Sequence, residues 1–128
     1  NAALAIVDKC RPKPNMSELM NIMGDVEGKR ALLVDDMIDT AGTLCGAAAA
    51  IAEKGAKEIH ACCTHAVFSG PALERLEKSV IEEVVCTDTI RLPETGPVSK
   101  IRVLSMAETF ATAIDRIYEQ LPISDMFG

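Results

Sequence analysis

The sequence predicts an α/β domain built on a mostly parallel sheet flanked by helices on both faces. Three observations carry that expectation: apolar runs of strand length recur along the chain, segments with helical patterning separate them, and Gly and Pro residues mark the joints. The strand-like runs are short and continuous, as expected of strands covered on both sides. At 128 residues with 48% hydrophobic side chains, the chain is one domain's worth, able to bury roughly two thirds of its unfolded surface.

In order, residues 2–7 (AALAIV) predict a first strand buried on both faces, and residues 8–24 predict a long loop because Pro12 and Pro14 forbid regular pairing. Loops of that length inside compact domains are usually functional or disordered. A turn at GDVEGKR leads to a second buried strand at 31–34 (ALLV). TLCGAAAAIAEKG reads as a helix, since Ala is the best helix former and Gly55 suits the position after the last turn. EIHACCTH is a third strand, GPALERLEK a helix with Pro71 near its first position, EEVVCTDT a fourth strand and IRVLS a fifth. Residues 107–121 close the domain as an amphipathic helix with Phe110, Ile114, Ile117 and Leu121 at helical spacing. The tail, 122–128, has few core residues and is expected to be loose on its own.

Composition narrows the function classes. Aromatic residues make up 3% of the chain, with no Trp, so stacking platforms for single-stranded nucleic acid are nearly absent. A net charge of −6 argues against a broad phosphate-backbone surface. No nucleic-acid partner is expected, although backbone amides can still hold a small anion locally. The five cysteines lack metal-type spacing and suit reduced thiols in a cytoplasm. The longest apolar run is far short of a membrane span. The start, NAALAIVDK, has neither a basic n-region nor an initiator Met, and reads as a chain entered partway through.

The chemistry concentrates at LLVDDMIDTAGT, residues 32–43. Ligands of open α/β sheets bind beyond the carboxyl ends of the strands, where Asp35 and Asp36 are expected to stand. Two neighbouring carboxylates beside an apolar sheet are costly unless hydroxyl donors or a divalent cation satisfy them, and a vicinal diol supplies two donors. Behind them, Asp39, Thr40, Ala41, Gly42 and Thr43 join the strand to the start of the Ala-rich helix, where unpaired N–H groups and the helix dipole favour an anion. Ala41 and Gly42 are small enough for amides to approach a phosphate, and Thr40 and Thr43 add hydroxyls. Diol and phosphate together describe a sugar phosphate. The competing reading makes Asp39 and Thr40 an ordinary helix cap and the two acids a solvated strand end.

The string VDDMIDTAGT closely resembles the 5-phosphoribosyl 1-diphosphate binding motif of type I phosphoribosyltransferases and ribose-phosphate pyrophosphokinases. DKCRPKPN, IMGDVEGK, ACCTHAVFSGPA and ISDMF extend the resemblance over essentially the whole chain, to the C-terminal part of the pyrophosphokinases. The resemblance implies a phosphoribosyltransferase-like domain over 1–121, with 8–24 as its flexible catalytic loop and the tail 122–128 packing on an absent N-terminal domain. It implies transfer of diphosphate from ATP to the anomeric hydroxyl of ribose 5-phosphate, with Mg²⁺ as cofactor. Asp35 and Asp36 match the acids that hold the ribose hydroxyls, and Asp39 to Thr43 match the loop around the 5-phosphate. Lys9 and Arg11 match the basic pair of the catalytic loop, with Cys10 standing where many relatives carry arginine. Ser124 and Phe127 match positions of a phosphate or ADP effector site between subunits, and Pro122 stands where relatives often have a hydroxyl. The resemblance further implies a homo-oligomer, a hexamer in the full-length protein. It places the ATP-binding groups in the absent half, so that the chain alone is expected to bind ribose 5-phosphate at most.

Two other functions share part of this pattern. A type I phosphoribosyltransferase would use the same loop but needs a hood for its base, which nothing in the sequence supplies. A non-catalytic regulatory homologue would interrupt the catalytic loop, whereas Lys9 and Arg11 are both present. HACCTH carries His60, Cys62, Cys63 and His65, but strand alternation sends them in pairs to opposite faces, so no metal is expected there. His65 is expected just past the strand end, lining the ligand crevice, with Ser69 and Gly70 opening the next turn.

Overall fold

The computed structural model describes residues 3–10, 19–93 and 99–127. Its strands are β1 (Ile6–Cys10), β2 (Leu19–Met23), β3 (Arg30–Ile38), β4 (Glu58–Ala66), β5 (Glu83–Thr87) and β6 (Ile101–Leu104). The helices are α1 (Gly42–Glu53), α2 (Ala72–Lys78) and α3 (Ala107–Tyr118), with a short 3₁₀ turn at Ser124–Met126. Strands β3, β4, β5 and β6 lie side by side in that order, all parallel. The α/β class with a parallel sheet is therefore as the sequence predicts.

The core lies on one face of this sheet. Ile59, Ala61 and Cys63 of β4 and Val84 and Cys86 of β5 point to it, joined by Leu44, Ala48 and Ile51 of α1 and by Ala72 and Leu76 of α2. The Ala-rich sequence of α1 does two things here: it favours the helix, and it presents small side chains to a sheet whose own residues at the contact are also small. Gly55 ends the helix as expected. At φ +86° it lets the Gly55 N–H reach the Ala52 carbonyl at 2.9 Å and the Ala56 N–H reach that of Ile51 at 3.3 Å. This is the paired-bond helix stop that a left-handed glycine makes possible.

The other face of the sheet is open among the described residues, with Leu32 62% and Val34 75% exposed. The closing helix α3 forms where its periodicity predicts, yet none of its residues is buried. The tail is less loose than its composition suggests. Arg116 of α3 donates from Nε to the Pro122 carbonyl at 2.8 Å and from Nη2 to the Asp125 carboxylate at 2.7 Å.

Three elements differ from the sequence expectation. The first strand is not buried on both faces: β1 pairs antiparallel with β2 in a separate two-stranded sheet, and Ile6 is exposed. The expected loop 8–24 is strand near both of its ends, because the arms of this hairpin pair from Ile6↔Met23 to Cys10↔Leu19 and so take up residues 8–10 and 19–23. The prolines that argued for a loop fall between the arms, outside the described residues. The hairpin joins the domain through buried Ile22 and through Lys54 of α1, whose ammonium reaches the Ile22 carbonyl at 2.9 Å. Finally, β3 runs to Ile38, so Asp35 and Asp36 lie within the strand's last turn of pleat rather than after it. Among the described residues β3 is an edge strand, a position that tolerates exposed polar side chains.

Candidate functional site

The register of β3 against β4 puts Asp35 opposite Cys63, on the side of the sheet that carries α1, so its neighbour Asp36 projects to the other side. Both carboxylates lean forward along the strand. Asp35 Oδ1 accepts the Asp36 N–H at 3.0 Å, and Asp36 Oδ1 accepts the Met37 N–H at 2.8 Å. Both are exposed and neither is drawn into an ion pair among the described residues.

Beyond Ile38 the chain bends through Asp39 and Thr40 into α1, and the bend is not an ordinary cap. The cap residue is Ala41, which has no side-chain acceptor and sits in the left-handed region at φ 59°, ψ 6°. Such a conformation costs a non-glycine residue on the order of 1–2 kcal/mol and persists only where the surroundings impose it. The Ala41 methyl is buried, which anchors the bend to the core. No acceptor among the described residues takes the N–H groups of Thr40 to Leu44. An uncapped helix start of this kind binds anions.

A cavity of about 320 Å³ opens here, lined by Asp35, by Met37 to Ile38 and by the whole bend from Asp39 through Leu44. That is within the size range of small-ligand pockets. Asp36 is not among its lining residues. The cavity therefore joins one carboxylate of the pair to all five expected residues of the bend, Asp39, Thr40, Ala41, Gly42 and Thr43.

The segment between β4 and α2 packs behind the bend, and sequence reasoning gave it too small a part. The Phe68 N–H donates to the Ile38 carbonyl and the Ser69 N–H to that of Asp39, both at 3.0 Å. The Ser69 hydroxyl donates to the Asp39 carboxylate, and Arg75 Nη1 donates to the Thr40 carbonyl at 3.0 Å. Phe68 at φ 47° and Gly70 at φ 54° shape the turn that brings these donors in. Gly42 also meets a neighbour that its place in the sequence does not announce. A Cβ there would lie 3.3 Å from Arg75 Nη1, so this glycine makes room for a guanidinium behind the loop.

At the neighbouring strand ends, His65 Nδ1 lies 2.9 Å from Thr89 Oγ1, and the hydroxyls of Thr87 and Thr89 both donate to the Thr64 carbonyl. His65 thus lies within β4, which runs to Ala66, and not past the strand end as expected, and it is not among the residues lining the cavity. In the same strand Cys63 is buried, and burial, reinforced by the neighbouring Cys86 thiol, pushes its pKa up to about 11. Among the described residues no three His, Cys, Asp or Glu side chains converge as a metal-binding group. No helix is long and apolar enough to cross a membrane, again among the described residues.

The remaining expected residues stand apart from this cavity or outside the description. Lys9 lies in β1 with its side chain outside the described residues, as is that of Cys10, and Arg11 lies wholly outside them. Ser124 opens the 3₁₀ turn after α3 and Phe127 follows it, both exposed.

Comparison with known proteins agrees with this arrangement. The profile of the phosphoribosyl synthetase-associated domain matches residues 4–128. A ribose-phosphate pyrophosphokinase of Fusobacterium nucleatum is 61% identical over 98% of the chain, and one of Bacillus caldolyticus is 56% identical over 98%. The chain spans 40% of the length of each of these relatives. The crystal structure of phosphoribosylpyrophosphate synthetase from Mycobacterium smegmatis superposes with a TM-score of 0.80 at 37% identity, covering 91% of this chain and 37% of that one. With its strand-end acids, its uncapped bend and a family profile matched from residue 4 to residue 128, the chain belongs to the phosphoribosyl synthetase-associated domain family.

Proposed function

We propose that this chain supplies the ribose 5-phosphate side of a ribose-phosphate diphosphokinase. The observation that carries this reading is a cavity lined both by Asp35 and by the uncapped start of α1 with its unpaired amides. In this reading Asp35 and Asp36 accept hydrogen bonds from the ribose hydroxyls, and Asp39 to Thr43 surround the 5-phosphate. The anomeric oxygen attacks the β-phosphorus of ATP; a new oxygen–phosphorus bond forms as the bond to the α-phosphate oxygen breaks, and AMP leaves. Lys9 and Arg11 stabilise the charge that spreads over the transferred group, since phosphoryl transfer relies chiefly on positioning and electrostatics.

Mg²⁺ commonly binds through one or two carboxylates together with substrate phosphates, and the strand-end acids fit that modest donor set, whereas a closed protein cage is lacking among the described residues. The ion would neutralise charge on the diphosphoryl group. Ser124 and Phe127 belong, on this reading, to an effector site for phosphate or ADP in a cytoplasmic hexamer, and the tail 122–128 packs on a further domain. The chain alone is expected to bind ribose 5-phosphate without turning it over, because ATP is held mainly elsewhere. AMP release on mixing it with ATP, Mg²⁺ and ribose 5-phosphate would contradict that expectation.

Titration calorimetry tests the site. Ribose 5-phosphate should bind more tightly than ribose or inorganic phosphate, and Asp35→Ala should remove the gain contributed by the sugar, roughly tenfold for a lost charge-assisted hydrogen bond. Equal binding of phosphate and ribose 5-phosphate would reduce the site to a general anion cradle.

A further inference from the structure

We infer that Arg75 is a positioning residue for the phosphate-facing bend, acting through the peptide between Thr40 and Ala41; the inference rests on the ribose 5-phosphate reading above. Three consecutive carbonyls, those of Ile38, Asp39 and Thr40, accept hydrogen bonds from Phe68 and Ser69 of the β4–α2 connection and from Arg75 of α2, and the fourth, Ala41, accepts the Cys45 N–H at 3.0 Å. The structure contains no cis peptide among the described residues, and in a planar trans peptide the N–H points opposite to the carbonyl before it. Turning the carbonyls of Asp39, Thr40 and Ala41 into the protein therefore turns the N–H groups of Thr40, Ala41 and Gly42 out of it. Successive amides aimed one way make an anion-binding concavity.

Two of these three anchors are backbone groups that any sequence could supply. Arg75 is the side-chain anchor, on the peptide whose N–H belongs to the strained Ala41. Its charge adds a second effect, because a cation on the carbonyl polarises the peptide and strengthens its N–H as a donor. It also stands behind the bend and not among the cavity-lining residues, so it helps the site without competing for the ligand. Gly42 completes the device: its φ is not in the left-handed region, and the space it leaves is the space the guanidinium uses. Ser69 serves the same end, since its hydroxyl engages the Asp39 carboxylate while its N–H holds the Asp39 carbonyl.

The test is an NMR titration of the 128-residue chain and its variants with ribose 5-phosphate and with ribose. Arg75→Met keeps the aliphatic stem and should weaken ribose 5-phosphate about tenfold while leaving ribose unchanged. Arg75→Lys should recover most of the loss, and Gly42→Ala, which presses on the guanidinium without changing its charge, should reproduce part of it. In the ligand-free protein, Arg75→Met should shift the Ala41 and Gly42 amide signals and speed their hydrogen exchange. Unchanged amides with unchanged ribose 5-phosphate affinity would overturn the inference, as would an equal loss for ribose. If the unmodified chain does not distinguish ribose 5-phosphate from ribose, the functional reading fails, and the ligand-free amide signals still decide whether Arg75 sets the bend.

Discussion

Helices α1 and α3 are each 12 residues long, but α1 buries Leu44, Ala47, Ala48 and Ile51 while α3 buries nothing. The contrast runs against their sequences, because α3 has the cleaner apolar stripe and α1 is largely a run of alanines. Periodicity reports that a helix has a face to cover; it does not report that the cover lies in the same chain. Small side chains carry a different message, since they let a helix lie close to a sheet. The chain thus has a finished side, where α1 and α2 close on β4 and β5, and an unfinished one, where Leu32, Val34 and the α3 stripe face outward. The candidate site sits at the edge of the finished side.

The largest test of this contrast is a pair of truncations. Leu76 of α2 is fully buried and Ile114 of α3 is 67% exposed. Leu76→Ala should cost about 2–5 kcal/mol, the range for a buried leucine whose site cannot collapse. Ile114→Ala should stay within about 0.5 kcal/mol, as for surface substitutions generally. Urea unfolding of the two variants measures both. Comparable losses would mean that α3 packs in solution on a surface of this chain.

How much of this was legible in sequence divides along the same line. Strands β3 to β6 and all three helices were readable, because an apolar face to be covered, whether or not its cover lies in this chain, imposes apolar runs and helical spacing directly on the sequence. The β1–β2 hairpin was not, since Pro12 and Pro14 dominate the reading while the pairing arms on either side carry the structure. The short apolar run Leu19, Met20, Ile22 and Met23, interrupted only by Asn21, was the missed signal. In the site, the bend from Asp39 to Thr43 was legible because small and hydroxylated residues after a strand have few other uses. Arg75 was not: it is 35 residues from the carbonyl it holds, and an arginine in a helix reads as ordinary surface. Gly42 was read as a close-approach residue, but the guanidinium behind it was not foreseen, because sequence spacing cannot say which side of a loop is crowded.

A second test needs only two adjacent residues. Cys62 and Cys63 are consecutive on β4, so one points to the open face and the other into the core. With its pKa pushed up to about 11, Cys63 carries roughly one part in a thousand of thiolate at pH 8, and the thiolate is the reactive species. Iodoacetamide at pH 8 should therefore label Cys62 at least tenfold faster than Cys63 in the folded protein, with the difference abolished in urea. Faster labelling of Cys63 would mean that the α1 side opens readily and is not the finished one.

The smallest effect concerns how α3 is held at all, given that it buries nothing. Its start is tied to the sheet by Asp88, which accepts the Ser105 hydroxyl and the Met106 N–H, both at 2.7 Å. These bonds, the hydroxyl first and the amide second, hold the Asp88 carboxyl below the usual carboxylate range. A depressed pKa means that the ionised form is favoured by folding, so the anchoring is fully present above the ordinary aspartate value and is lost as the pH falls through the folded-state one. Because Asp88 is exposed, the effect is local and modest. The Met106 amide signal should move as the pH drops below about 4, ahead of any change in the core signals of Leu76 and Val84. Asp88→Asn keeps an acceptor for the amide and should flatten that pH response while leaving α3 in place, whereas Asp88→Ala should loosen the helix start at every pH. If Met106 and the core instead titrate together in the unmodified chain, the two sides form one cooperative unit, and the division drawn from α1 and α3 is one of exposure without a matching difference in stability.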